Sequence, residues 1–486
     1  MAHQYKVDSE EPSVRGTRRR SLLRAGLALP LGSTALLVAC GGGGSGSSGG
    51  LSFAPVATVP PPEAAPPTPA PTPVVVDAPP VEGPPAKPVQ KAVKNVRVLN
   101  LQTPTFTPPA NQRLASEDIK TYTQRALQEK FALLRDALTE GLPKKSAESD
   151  LCYFVVPEFF WNVNWDAVQN EDDIKVFSTT CVDEVQKHVR ALIALFPQEQ
   201  YGKLALLPGT AQVLPKQIGS TASAPAPAPA GTAVADTDLP SYEALNYVLV
   251  IDNFSKANPD GSRPLAMWPK RNVSAIDFDT YGGTTVTKNA QAYWKVRLTS
   301  LIDILVLQKS TRAASYYADG KEFKGFDNDP LGGVPFGVDV CLDYSLAYKD
   351  NEYLRKSQIA DANYIIDFLI ACGMTAAPSR HKYLPSVQYI VRNDGYIYDA
   401  GPTRPASYGT CEIFKLSAPQ DKVGIAVRPS NEMVPQTQVA SPGPHSILFD
   451  SYIEVHPLGE YPVSPPPPPP DIPTDPLPSL VAPPSL

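Results

Sequence analysis

The sequence predicts an α/β fold between residues 95 and 462. Short apolar runs such as VRVLNL (96–101) and LCYFVV (151–156) have the length of buried strands. Stretches with apolar residues at helical spacing alternate with them. The 55 prolines gather mainly at the two ends and in one internal stretch, which leaves this region as the foldable part. Strands that bury both faces, alternating with amphipathic helices, stack into layers.

Taken in order, residues 96–101 alternate as a strand does. Residues 115–139 place Ile119, Tyr122, Ala126, Phe131, Leu134 and Leu138 on one helical face. Ser116 is a candidate cap there, and Gly141 lies just past the end. A second amphipathic helix is expected over 180–196. Further strands are expected over 204–207, 244–252, 336–342 and 364–369. The stretches 288–307 and 349–362 read as helices. A low-complexity Ala/Pro/Gly stretch reads as a surface-loop insertion at about 214–240.

The ends have other roles. Residues 1–40 carry Arg18, Arg19, Arg20 and Arg24, then an apolar stretch broken by Gly26, Pro30 and Gly32. That stretch is too short and interrupted to span a bilayer. The run from Arg19 to Arg24 resembles a twin-arginine export signal. LVAC, ending at Cys40, resembles a bacterial lipobox, in which acylated Cys40 becomes the first mature residue and anchors the chain to the lipid bilayer. The expected place is the periplasmic side of a bacterial envelope, membrane-anchored. Residues 41–94 read as a linker, glycine/serine first and proline-rich after. Residues 463–486 read as a disordered proline-rich tail. The formal net charge of −6 argues against a nucleic-acid partner.

Three residues stand where strands end. Glu158 follows the apolar run in FVVPEFFW, where burial raises a carboxyl's pKa and suits it to proton transfer. Lys270, in LAMWPKRNV, lies about one hairpin beyond the strand YVLVID and suits a developing oxyanion. Cys341 closes FGVDVCLD, where a helix dipole and a nearby lysine would lower its thiol pKa. Each residue alone is better explained by structure: a loop acid, a surface lysine, a core thiol.

Their order along the chain, together with VRVLNLQTPTF, LCYFVVPEFF, KLALLPGTAQV, LNYVLVID, GVDVCLDYS and ANYIIDFLIACGM, resembles the nitrilase (carbon–nitrogen hydrolase) superfamily over about 95–420. The resemblance implies a four-layer α-β-β-α sandwich, often dimerising across its helical layer. It implies that Glu158 takes the thiol proton and that Cys341 attacks a small-molecule amide or nitrile. Lys270 and the Leu342 N–H would hold the oxyanion, and Asp343 would orient loops. Many relatives carry a second glutamate between the lysine and the cysteine. This chain reads RNVSAIDFDTYGG there, so Asp277 and Asp279 are both candidates for that place. The interval 309–331 is long and polar, and suits either a lid or a family-specific pocket wall.

Cys152, Cys181, Cys372 and Cys411 remain, an even number for an oxidising compartment. One or two disulfides are expected among them. Three pairings are open, and Cys152–Cys181 with Cys372–Cys411 is the most local. No Cys/His spacing resembles a zinc site, and neither metal nor cofactor is expected. Two further readings stand beside the hydrolase: an acyltransferase, and an inactive binding or envelope lipoprotein on the same scaffold.

Overall fold

Residues 93–462 are described by a computed structural model, apart from 106–111, 143–148, 219–234, 279–283, 311–314, 318–321, 324–333, 350–363, 399–406, 421–425 and 429. The chain divides into Met1–Ala78 and Pro79–Leu486, and every described residue belongs to the second unit. The expected signal segment with Cys40, the linker up to residue 92 and the tail 463–486 lie outside the described residues.

The described elements run β1 (Lys94–Gln102), α1 (Ile119–Gly141), β2 (Leu151–Val156), α2 (Glu171–Ala194), α3 (Gln198–Tyr201), β3 (Leu204–Pro208), β4 (Thr210–Ile218), β5 (Ser241–Asp252) and β6 (Leu265–Pro269). Then come β7 (Thr284–Lys288), β8 (Gln291–Arg297), β9 (Asp303–Leu307), β10 (Ser315–Tyr317), β11 (Glu322–Phe323), β12 (Phe336–Val340), α4 (Leu342–Lys349) and β13 (Ile366–Ala371). The chain closes with β14 (Lys382–Tyr383), β15 (Tyr389–Tyr398), β16 (Ser407–Leu416), β17 (Ala426–Val427), β18 (Asn431–Met433), β19 (Thr437–Gly443) and β20 (Ser446–Val455).

One sheet runs β11-β10-β6-β5-β3-β2-β1-β20-β19, with β4 and β9 also paired to β5 and β7–β8 continuing from β9. A second runs β12-β13-β15-β16-β18. Within the first, β1, β2 and β3 are parallel, with Val98 opposite Tyr153 and Tyr153 opposite Ala205. Within the second, β12, β13 and β15 are parallel, with Val340 opposite Ile370 and Ile370 opposite Asn393.

The period of two along the central strands makes the layers. Leu99, Phe154 and Leu206 join Leu127, Leu134 and Leu138 of α1 and Phe177, Val189 and Leu192 of α2 in one core. Val98, Tyr153 and Leu207 face the other way and pack with Val338, Phe368, Ile370 and Val391 of the second sheet. The α1/α2 pair thus covers one face of the first sheet, and the second sheet covers the other. Strands buried on both faces read as continuous apolar runs, which is why β2 and β3 stand out in the sequence, whereas β1 carries Arg97 and Asn100 among its apolar residues. Among the described residues no helix is long and apolar enough to cross a membrane.

Several boundaries differ from expectation. The first helix begins at Ile119, because Asp118 rather than Ser116 accepts the Thr121 N–H, at 2.6 Å. The second begins at Glu171, not at residue 180. Asn170 caps it, and Glu171, Asp172 and Asp173 place negative charge at its positive end. Strand β4 extends to Ile218, into the stretch expected as an insertion. The strand expected over 336–342 ends at Val340, and Leu342 opens α4. Most of the helix expected over 349–362 lies outside the described residues.

The helix expected over 288–307 does not form. Asn289 and Ala290 both take positive φ, 51° and 61°, and close a two-residue hairpin between Lys288 and Gln291. Two left-handed central residues match the twist of a tight hairpin and break a helix.

The expected disulfides are also absent, because Cys152, Cys181, Cys372 and Cys411 are free thiols. Cys372 follows β13, and Cys411 lies on β16 opposite Asn393 of the intervening β15. Two strand spacings, roughly 9–10 Å, exceed the reach of a disulfide. Cys152 sits in β2 beside Arg97, whereas Cys181 sits in α2 beside Lys130.

The edge beyond β1 is closed by β20, antiparallel, with Val96 opposite Ile453. Arg97 reaches across to Asp450 with two hydrogen bonds, at 2.8 and 2.9 Å. This fork fixes the register of strands more than 350 residues apart.

Candidate functional site

Glu158 sits just past the end of β2, between the two sheets. Its N–H donates to the Ala371 carbonyl at 3.3 Å, and its carbonyl accepts from Thr105 Oγ1 at 2.5 Å. The chain then turns sharply. Phe159 has a positive φ of 63°, and its N–H donates to Thr210 Oγ1 at 2.9 Å. Gly209, at φ 79°, lies so close that a Cβ there would meet Phe160 Cβ at 2.6 Å and the Pro157 carbonyl at 2.7 Å. The Gly-Thr pair at the head of β4 therefore shapes the turn that presents Glu158.

Lys270 follows β6, and its N–H donates to the Asn246 carbonyl of β5 at 2.7 Å. Its Nζ lies 2.9 Å from Glu158 Oε1 and 2.7 and 2.9 Å from the two oxygens of Asp277. All three side chains are buried. Asn246 Nδ2 donates to the same Glu158 oxygen at 2.9 Å. Glu158 Oε2 has no hydrogen-bond partner among the described residues.

Cys341 stands at the end of β12 with φ 46°, in the left-handed region. For a non-glycine residue this strain is of order 1–3 kcal/mol, and it turns the side chain out of the strand's regular alternation. Its N–H donates to the Ile370 carbonyl at 2.9 Å, and its sulfur contacts the Cys372 carbonyl at 3.7 Å. The thiol is also near enough to Glu158 for each to shift the other's ionisation. The structure thus brings Glu158, Lys270 and Cys341 into one buried cluster.

Burial pushes the Glu158 carboxyl up to about 7, against the opposing pull of Lys270. Burial and the negative charge of Glu158 push the Cys341 thiol well above its ordinary value, Lys270 notwithstanding. This corrects the expectation of a lowered thiol pKa. Full desolvation of the sulfur, with an acid beside it, outweighs one lysine. Burial alone would lower Lys270, but Asp277 and Glu158 overcome it and hold the ammonium charged. Burial also raises Asp277, despite Lys270.

Leu342 is the first residue of α4, so its N–H has no acceptor within the helix. Asp343 is buried and accepts from the Arg271 N–H, the Asn272 N–H and Asn272 Nδ2, at 2.9, 2.9 and 2.8 Å. It ties the segment after Lys270 to the start of α4. Burial lifts its carboxyl to about 6. Of the two candidates for the second acid, Asp277 reaches Lys270, and Asp279 lies outside the described residues. So does most of the interval 309–331, apart from the short strands β10 and β11. Sequence reasoning missed Asn246 and Thr105. A polar residue inside LNYVLVID was the available signal for Asn246.

No protein-family model and no curated protein matches this chain. Solved structures do. An amidase from Nesterenkonia sp. is 9% identical over 75% of this chain and 93% of its own, with a TM-score of 0.29. A variant of the amidase from Nesterenkonia sp. AN1 in complex with butyramide is 8% identical, over 74% and 90%, also at 0.29. Another variant of that amidase, showing covalent addition of the acetamide moiety of fluoroacetamide at its active-site cysteine, is 9% identical over the same shares, at 0.30.

Proposed function

We propose that this chain is a carbon–nitrogen hydrolase that cleaves a small-molecule amide or nitrile through a thioester on Cys341. The observation that carries this reading is the state of Glu158. One of its oxygens is held by Lys270 and Asn246, the other has no hydrogen-bond partner among the described residues, and the Cys341 thiol is close enough to interact with this carboxyl. A carboxylate with one free oxygen and a pKa raised toward neutrality is suited to act as a general base.

For an amide, the Cys341 S–H proton passes to Glu158 Oε2 while sulfur bonds to the carbonyl carbon. The carbonyl oxygen takes the electron pair and is held by the Lys270 ammonium and the Leu342 N–H. Glu158 returns the proton to nitrogen, the C–N bond breaks, and ammonia or an amine leaves. Water then attacks the thioester, giving its proton to Glu158. Collapse releases a carboxylic acid and restores the thiol. Asp277 keeps Lys270 charged and in place, and Asp343 fixes the loop that carries it.

The reading extends to the rest of the chain. Residues 1–40 act as an export signal, Cys40 takes lipid, and residues 41–94 tether the enzyme on the periplasmic face of a bacterial membrane. The fourth layer of an α-β-β-α sandwich begins with α4, and the chain pairs as a homodimer through its helical layer.

The test is ammonia release from a panel of amides and nitriles by the wild-type chain and by Cys341→Ala. Hydrolysis lost in the variant supports the proposal. Hydrolysis unchanged in the variant overturns the proposal, and hydrolysis absent from both across the panel favours the inactive binding lipoprotein. Preference for an amine over water as acceptor favours an acyltransferase.

A further inference from the structure

Glu158 Oε1 accepts two hydrogen bonds, from Asn246 Nδ2 and Lys270 Nζ, both at 2.9 Å. Asn246 also accepts the Lys270 N–H through its own carbonyl, at 2.7 Å. One residue of β5 therefore fixes the carboxylate with its side chain and the lysine with its backbone. The amide is oriented by chemistry, since only its NH₂ can donate to a carboxylate oxygen. Asn246 is 2% exposed, and its Oδ1 has no hydrogen-bond partner among the described residues. A buried amide left half satisfied in an apolar strand is a poor choice for stability alone.

We infer that Asn246 is a positioning residue: by pinning Oε1 of Glu158, it leaves Oε2 as the oxygen that receives the Cys341 proton. The inference rests on the proposed reading of Glu158 as the base. Four titratable groups face this carboxylate: Lys270 after β6, Asp277 in the turn that follows, Cys341 at the end of β12 and Cys372 at the end of β13. Asn246 is the neutral donor among them. Its hydrogen bond favours the ionised carboxylate, so its loss moves ionisation of Glu158 to higher pH while the four neighbours stay in place. An aspartate at the same position adds a negative charge and moves ionisation further in the same direction.

The test is the pH profile of Cys341 alkylation by iodoacetamide in the full-length chain, read as mass gain on the Cys341 peptide. This readout does not require turnover. Asn246→Ala is expected to react about three- to tenfold more slowly on the acid limb, with the high-pH plateau kept within about threefold. Asn246→Asp, nearly the same size as asparagine, is expected to shift the limb at least as far, and it stands alone if the alanine variant fails to fold. Profiles that superimpose on the wild type, or that fall by one factor at every pH, overturn the inference. Glu158→Gln in the same assay separates the two levels. If its acid limb matches the wild type's, the base reading itself fails, whatever Asn246 does.

Discussion

Lys270 Nζ meets both oxygens of Asp277, at 2.7 and 2.9 Å, in an interior where neither side chain is exposed. The same ammonium holds Glu158 Oε1 at 2.9 Å. One cation is thus shared by two carboxylates, and their mutual repulsion adds to burial in raising Glu158.

That relationship sets the pH dependence of the proposed reaction. Glu158 must be ionised to take the thiol proton, and its carboxyl is raised to about 7. The acid limb of kcat/KM is therefore expected near pH 7. Asp277→Asn removes a negative charge that lifts Glu158, so the limb should move to lower pH, the opposite of the shift expected for Asn246→Ala. Glu158→Gln should lower kcat/KM by about 10²–10⁴-fold. Steady-state profiles of the wild type and these three variants check the order.

Asp343 makes a separate prediction about stability. Its folded carboxyl titrates at about 6 against an ordinary 3.8, so the folded state binds the extra proton between those values. Stability contributed by that proton is present at low pH and lost as pH rises from about 3.8 to about 6. Urea unfolding of the wild type and Asp343→Asn should show it. The wild type should lose about 3 kcal/mol relative to the variant between about pH 4 and pH 7. A constant difference across that range would contradict the assignment.

Much of this site was legible because its residues lie where strands end. Burial on both faces makes β2 and β3 into unbroken apolar runs, Glu158 follows β2 with only Pro157 between, and Cys341 directly follows the buried strand β12. Asp277 could not be separated from Asp279, since neither belongs to a periodic element and only the fold shows which one reaches Lys270. Asn246 was hidden inside a strand, where its contact is with a residue 88 positions away. The stretch 288–307 was misread because Tyr293 and Val296 also suit a helical face, and the hairpin at Asn289 and Ala290 is a purely local decision. The pairing of β20 with β1 brings Arg97 to Asp450 across the length of the domain, and no local pattern announces it.

The cysteines give a further check. With no disulfide among Cys152, Cys181, Cys372 and Cys411, alkylation in denaturant without reductant should label all four. In the folded protein Cys152 and Cys181 should be protected, being buried with thiols raised to about 12 by burial. A pair that labels only after reduction would show that oxidation rearranges this part of the fold.

The central claim is that Cys341 carries the acyl group. Acid-quenching the full-length enzyme during turnover of a primary amide, then weighing the Cys341 peptide, tests it most directly. A thioester mechanism predicts a mass gain equal to the acyl group on that peptide, abolished in Cys341→Ala. Amide hydrolysis that proceeds with no adduct at Cys341, or with the adduct on another residue, would contradict it.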